Sequence, residues 1–337
     1  MKTRLIASFI LSLCFATTLQ AQVKYTVITD NVKQVRPFSI TLNPCYGDYY
    51  LENTRAAWNA QLQVLLFQRL ELRMSYLQSY TDIASGNAGG LNVFMPSAGL
   101  GSTADVELGG SIFILDWNKP KDIKLLLSNS ELNTMAYTRS IIIPAHRRTQ
   151  IGLRGGLKLM TNHFQLYEDI GTQLYLQNKS AANDTLHFGP SEQLKDGKNI
   201  NTAFATQTQS MIYAGIALRK MIDLVVEVEG YKSKKKNRLL TDLYADFLLS
   251  NAHQLSDLKG ATTEYALKYE NTAFQKYGWR VGCNMKAPRS THIAFQIEAG
   301  SYPGLKIKGM TLSNYFLQIG MGINIPFGPN KAIEPAN

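Results

Sequence analysis

Charge is scarce in this chain of 337 residues: Asp, Glu, Lys and Arg make up 18% of it, where about 25% is usual for a soluble protein. Cysteine is scarcer still, with three in all. No Cys-x-x-Cys stands among them to mark a zinc site or a redox motif. Proline is modest at 11 and hydrophobic residues reach 45%, which excludes collagenous and disordered chains. Beyond the amino terminus no run comes near 18 consecutive apolar residues, and that excludes a membrane protein built from helices. The five histidines, His146, His163, His187, His253 and His292, share no metal-ligand spacing. A Gly-x-Ser-x-Gly elbow and a phosphate loop are both missing. Gly152-Leu-Arg-Gly-Gly lacks the Lys-Ser/Thr of the latter and reads as glycine-rich strand.

The amino terminus carries the first positive signal. Lys2 and Arg4 precede an apolar run from Leu5 to Phe15, and small residues follow to Ala21. That is the layout of a secretory signal peptide. Residues 1–21 are expected to be removed, leaving a 22–34 amino-terminal segment ahead of the fold. The apolar run is too short for a membrane anchor, and Leu13 is too bulky for lipid attachment at Cys14. Losing Lys2 and Arg4 takes the net charge from +10 to +8. Cys45 and Cys283 remain. Secretion permits their pairing, but Cys283 falls on an apolar strand face and Cys45 outside the main strands, so both are expected as free thiols.

Alternation with period two dominates the rest. Tyr315, Leu317, Ile319, Met321, Ile323, Ile325 and Phe327 form one apolar face, against Gln318, Gly320, Gly322 and Asn324 on the other. Similar runs occupy 58–66, 69–77, 104–116, 151–159, 209–219, 222–231, 238–250, 277–285 and 293–299, with weaker ones at 121–128 and 137–143. Many approach the 9–11 residues of a tilted strand crossing a bilayer and exceed the common 5–6 of a soluble strand. Aromatic residues gather near run ends: Trp58, Tyr76, Tyr231, Tyr277, Trp279, Tyr302, Tyr315 and Phe327. Short connections at 67–69, 219–222 and 286–290 contrast with long ones at 80–104, 161–208 and 250–275. Membrane barrels combine these features.

The closing segment, Gln318-Ile-Gly320-Met-Gly-Ile323-Asn-Ile325-Pro-Phe327, resembles the terminal signal of outer-membrane β-barrel proteins. Together with "IGLRGGL" and "GINIPF", it gives the chain a likeness to uncharacterised barrel proteins of the Bacteroidota type. The likeness covers architecture rather than a catalytic motif, and the polar tail 328–337 departs from it. It implies insertion by the barrel-assembly machinery and no particular substrate.

The expectation is therefore an all-β fold: a closed antiparallel transmembrane β-barrel over residues 35–327, in the outer membrane. Its apolar faces, Trp279 and Ile319 among them, should meet hydrocarbon. Strand bookkeeping, with a first strand near 35–43 and added strands in Ile170–Asn178 and Thr262–Asn271, gives 12–14 strands, with ten as the lower count. The polar faces place Arg154, Lys158, Glu227, Glu229, Asp242, Asp246, Arg280, Lys286 and Glu298 toward the lumen. There they would either form a structural network or bias solute passage. A turn at 219–222 would put the basic stretch Lys232, Lys234, Lys235, Lys236 and Arg238 outside the cell. It would be a solvated hairpin tip or a contact for lipopolysaccharide phosphates, with His146-Arg147-Arg148 adding to the patch. His292, beside Ser290 at a short turn, reads as a satisfied lumen histidine rather than a base. No catalytic residue, cofactor or metal site is expected. Scattered, strand-bound charge after a signal peptide argues against nucleic acid. The function expected is a passive pore or a structural, loop-displaying barrel. A secreted or periplasmic β-sandwich that binds a ligand and a barrel enzyme acting on lipid or peptide are the alternatives.

Overall fold

A computed structural model describes residues 23–33, 35–50, 53–81, 103–132, 135–167, 174–178, 180–181, 185–187, 189–193, 199–200, 202–255, 265–269, 272–307 and 314–328. The expected signal peptide and nearly all of the polar tail lie outside these residues. Among them the regular secondary structure is strand throughout. In chain order these are β1 (Tyr25–Asp30), β2 (Phe38–Tyr50), β3 (Asn53–Leu66), β4 (Leu70–Thr81), β5 (Ala104–Leu132) and β6 (Met135–Tyr167). Four short strands follow: β7 (Leu174–Asn178), β8 (Thr185–His187), β9 (Gly189–Gln193) and β10 (Asn199–Ile200). Then come β11 (Thr202–Val228), β12 (Lys235–Leu255), β13 (Tyr265–Tyr269), β14 (Thr272–Gln275), β15 (Tyr277–Lys286), β16 (His292–Ser301), β17 (Gly304–Ile307) and β18 (Tyr315–Phe327).

The chain divides into two compact units. The larger comprises Val32–Lys119, Arg147–Ile222 and Arg238–Asn337. It is a closed antiparallel barrel of ten strands in the order β2-β3-β4-β5-β6-β11-β12-β15-β16-β18, with β18 returning to β2. Closure leaves the ring with no unpaired edge. β18 shows why the sequence takes this form. Its thirteen residues alternate exposed and buried without a break, and the exposed ones are the apolar set from Tyr315 to Phe327. Trp279 is 46% exposed and Ile319 42%, so the apolar faces point outward and no second sheet covers them. The two-sheet sandwich is excluded on that ground.

The strand count is ten rather than 12–14. Runs read as separate strands at 104–116 and 121–128 are both β5; those at 137–143 and 151–159 are both β6; those at 209–219 and 222–231 merge in β11. Pro120 and Pro144 lie within these strands and do not turn the chain. Parts of Ile170–Asn178 and Thr262–Asn271 are strands, but β7 pairs with β13 on one side and β8 on the other in a separate small sheet. The short turns at 67–69 and after Lys286 are present, and Phe67 and Gln68 hold positive φ in the first. There is no turn at 219–222. Instead, Ile222 pairs with Arg147, and Leu240 pairs with Lys286 beside a short turn. The barrel ladders on either side of the basic stretch 232–238 thus end at the short-turn end of the ring, not at the long-loop end expected for it.

The smaller unit comprises residues 23–31, 120–146 and 223–237. β1 pairs antiparallel with the end of β11, from Tyr25 opposite Val228 to Asp30 opposite Leu224. Ile123, Leu125, Leu127, Ile143, Leu224, Val226 and Val228 are buried, which gives this unit an apolar interior. Glu227 and Glu229 belong here and are exposed, so neither lines the lumen. The reason is that the chain runs on past the barrel ladder here, where Glu227 and Glu229 face solvent and the apolar residues between and before them are buried.

Candidate functional site

The interior of the barrel is where this chain concentrates polar chemistry. Alternation turns Arg73 of β4, Glu107 of β5, Arg154 of β6, Asp246 of β12, Arg280 of β15 and Glu298 of β16 inward, and all are buried. Arg280 is 0% exposed. Its guanidinium donates to Glu107 Oε2 at 2.6 Å and to Asp246 Oδ2 at 2.7 Å, and Glu298 Oε2 lies 3.5 Å away. Arg154 donates to the same Asp246 oxygen at 3.0 Å and to Glu107 at 3.2 Å. Arg73 stands 3.7 Å from Glu298. Three guanidinium groups and three carboxylates therefore form one neutral cluster, with charge-assisted bonds that are the stronger kind.

Two tyrosines stack into the cluster. The Arg154 guanidinium lies 3.8 Å over the Tyr244 ring, and Arg280 lies 4.6 Å over Tyr213. Tyr244 also donates its hydroxyl to Glu298. Both rings need a glycine opposite: Tyr213 pairs across the ladder with Gly156, and Tyr244 with Gly282. A Cβ at either glycine would strike the ring. Tyr46 opposite Gly320 and Phe316 opposite Gly300 repeat the device, in which an aromatic fills the space a glycine leaves.

Further polar pairs extend the filling toward both ends. At the long-loop end, Lys158 donates to the Tyr302 hydroxyl at 2.6 Å and sits 3.3 Å from Asp105. Tyr302, Pro303 and Gly304 are buried. Gln209 donates to the Pro303 carbonyl at 2.7 Å, and the Tyr302 ring stacks on Phe316 with centroids 3.9 Å apart. Tyr302, expected at an interfacial girdle, is part of this inward-folded stretch instead. At the short-turn end, Arg219 donates to Asp242 at 2.6 Å and pairs with Glu71. Lys286 donates to Gln63 and to Ser39, the latter at 3.1 Å. Residues Val35, Arg36 and Pro37 join Gln63, Glu71, Arg219 and Lys286 around a cavity of ≈ 20 Å³, which holds about one water. Arg36 ties this strap to the Pro326 carbonyl at 2.9 Å. Between the ends, Gln61 bonds Gln296, and Tyr46 reaches Gln318, which donates to Asp48 at 3.1 Å. Asn162 and Asn284 are buried with side-chain atoms that reach no hydrogen-bond partner among the described residues.

Of the nine charges expected in the lumen, Arg154, Lys158, Asp242, Asp246, Arg280, Lys286 and Glu298 point inward and are brought into contact; Glu227 and Glu229 do not. Glu71, Arg73, Asp105, Glu107 and Arg219 complete the network and were missed. Their signal was present, since each sits at the polar parity of a run already read as strand. Of the terminal signal, Gln318 and Gly320 face inward, while Ile323, Ile325 and Phe327 face outward. Phe327 stacks on Phe38.

The remaining expectations divide. Cys45 and Cys283 are free thiols, although Cys45 lies within β2 opposite Met321. His292 is exposed at the start of β16, on the strand's inward parity and opposite the buried Asn324, and its Nδ1 accepts from the Ile293 N–H at 2.9 Å. The stretch His146-Arg147-Arg148 is strand, not an outer loop. Arg148 is buried and donates from Nε to Asp116 at 2.8 Å, and this bond holds the Asp116 carboxyl below its usual range. His146 Nδ1 lies 2.7 Å from Asp30 in the smaller unit, and its N–H bonds both Asp30 oxygens. That pair fastens the end of β1 to β6. The chain matches no protein-family model and no curated protein, so the functional reading rests on this geometry.

Proposed function

We propose that the protein is an outer-membrane β-barrel of the Bacteroidota type whose role is structural or loop-displaying, without catalysis and without an open channel. The observation that carries this reading is the interior. A ring of ten strands turns its apolar residues outward and fills its bore with mutually bonded charged and polar side chains. The exposed apolar residues recur along β3, β4, β5, β6, β11, β12, β15, β16 and β18, a contiguous surface of the kind soluble monomers rarely show, and lipid is the surround it fits. The neutral cluster around Arg280, the strap at Val35–Pro37 and the inward-folded Tyr302–Gly304 stand where a permeating solute would have to pass. A catalytic role for the cluster is disfavoured because its members are buried and bonded to one another. The leader, the terminal-strand resemblance and the short-turn pattern support the outer-membrane assignment and assembly by the barrel-insertion machinery.

Two measurements test the reading together. The full chain, expressed in a Gram-negative host, should resist extraction of membranes by carbonate and migrate faster on gels when unboiled. Reconstituted into planar bilayers, it should show no single-channel steps. Extraction into the soluble fraction would remove the membrane assignment; regular conductance steps would replace the filled barrel with a pore.

A further inference from the structure

Four strands are longer than a bilayer can use. β5 has 29 residues, β6 has 33, β11 has 27 and β12 has 21. A tilted strand needs about 9–11 to cross the hydrocarbon core, and β15 and β16 have 10 each.

The chemistry of the buried side changes along three of these strands, β5, β6 and β11. In the barrel part of β5, Asp105, Glu107 and Ser111 are buried while Leu108, Ile112 and Ile114 are exposed. Farther along, Ile123, Leu125 and Leu127 are buried, while Asp122 and Lys124 are exposed. β11 repeats the exchange: Gln207, Gln209 and Arg219 are buried and Ile212 and Ile216 exposed, then Leu224, Val226 and Val228 are buried with Glu227 and Glu229 outside. In β6, Ile143 and Ala145 are buried on one stretch, and Arg148, Gln150 and Arg154 on the next. Polar-in, apolar-out suits lipid; apolar-in, charged-out suits water. Exposed apolar exceptions in the smaller unit are Leu126 and Ile142 on these strands and Val23, Tyr25, Val27 and Ile28 at and just before β1, and single exposed apolar side chains are ordinary on water-facing surfaces.

We infer that β5, β6, β11 and β12 leave lipid near residues 115–120, 147, 222 and 238, so that the smaller unit is a water-immersed domain made from the barrel's own strands. The inference rests on the outer-membrane reading. It adds a compartment: these exits lie at the end that carries the short turns, Phe38 and Phe327, which is the periplasmic end of such barrels.

Cysteine probes in the full chain, with Cys45→Ala and Cys283→Ala as background, test it. Asp122→Cys and Lys124→Cys should react with a membrane-impermeant maleimide once the outer membrane is permeabilised, and lose that reaction in intact cells. Leu108→Cys and Ile319→Cys should stay unreactive until detergent is added. Protection of the first pair in permeabilised membranes overturns the boundary. Their labelling in intact cells overturns the compartment. Rapid labelling of Leu108→Cys and Ile319→Cys without detergent overturns the membrane reading itself, so the two failures are distinguishable.

Discussion

Arg280 is the residue on which the barrel interior depends most. It bonds carboxylates from β5 and β12 and approaches a third on β16. Truncating one member of such a buried set strands the others, at a cost of about 3–5 kcal/mol. Arg280→Ala should therefore lower the urea midpoint of the reconstituted barrel sharply. Lys at that position should recover part of the loss, since it keeps the charge without the fork. Asp116 offers a titratable counterpart outside the lipid-facing stretch. Its carboxyl is held low by the hydrogen bond from Arg148. A depressed carboxylate stabilises the fold above its unfolded pKa of about 3.9, and the benefit disappears as pH falls through the lower folded value. Thermal midpoints of Asp116→Asn should thus lie below the parent at neutral pH and converge with it in strong acid. A constant gap across that range would remove the ion pair from the account.

Strands are the scale at which the sequence was most legible. Runs such as 315–327 announce both their conformation and their outward face, because alternation is a period-two signal that pairing cannot easily override. Ile319→Lys on the outward face of β18 should cost about 2–4 kcal/mol in a bilayer, read by urea titration of the barrel in vesicles. The same charge on Phe67, a fully projecting turn residue at 91% exposure, should cost little. Equal effects would argue that β18 does not face lipid. Strand ends were less legible than strand faces. Between 116 and 121, and between 143 and 151, the alternation weakens at the point where the buried side changes chemistry, and a weak stretch reads as a turn. The missing turn at 219–222 followed from the same ambiguity. Glu71, Glu107 and Arg219 were hidden differently. A parity shows that a side chain points inward, but only the closed ring shows which distant partner it meets.

The whole molecule combines two interiors with opposite chemistry. The smaller unit is held by buried Ile, Leu and Val, which denaturant solvates readily, whereas the barrel hydrogen bonds form a continuous ring. Hydrogen exchange in urea should open amides at 120–146 and 223–237 before those of β15, β16 and β18. A single cooperative opening of both regions would show that the units do not unfold independently.

Partners in the Arg280 cluster come from β4, β5, β6, β12, β15 and β16, and Glu107 stands 173 residues from Arg280 in the chain. Seven consecutive strands of the ring, from β4 to β16, have to curl together before these charges can neutralise one another. An incompletely wrapped sheet would carry bare guanidinium and carboxylate groups along its concave side, each seeking water. Cooperativity in the joining of β4 through β16 is then built into the electrostatics: the curvature and the neutral interior arise together, and a half-made curl has no low-energy resting place on the way.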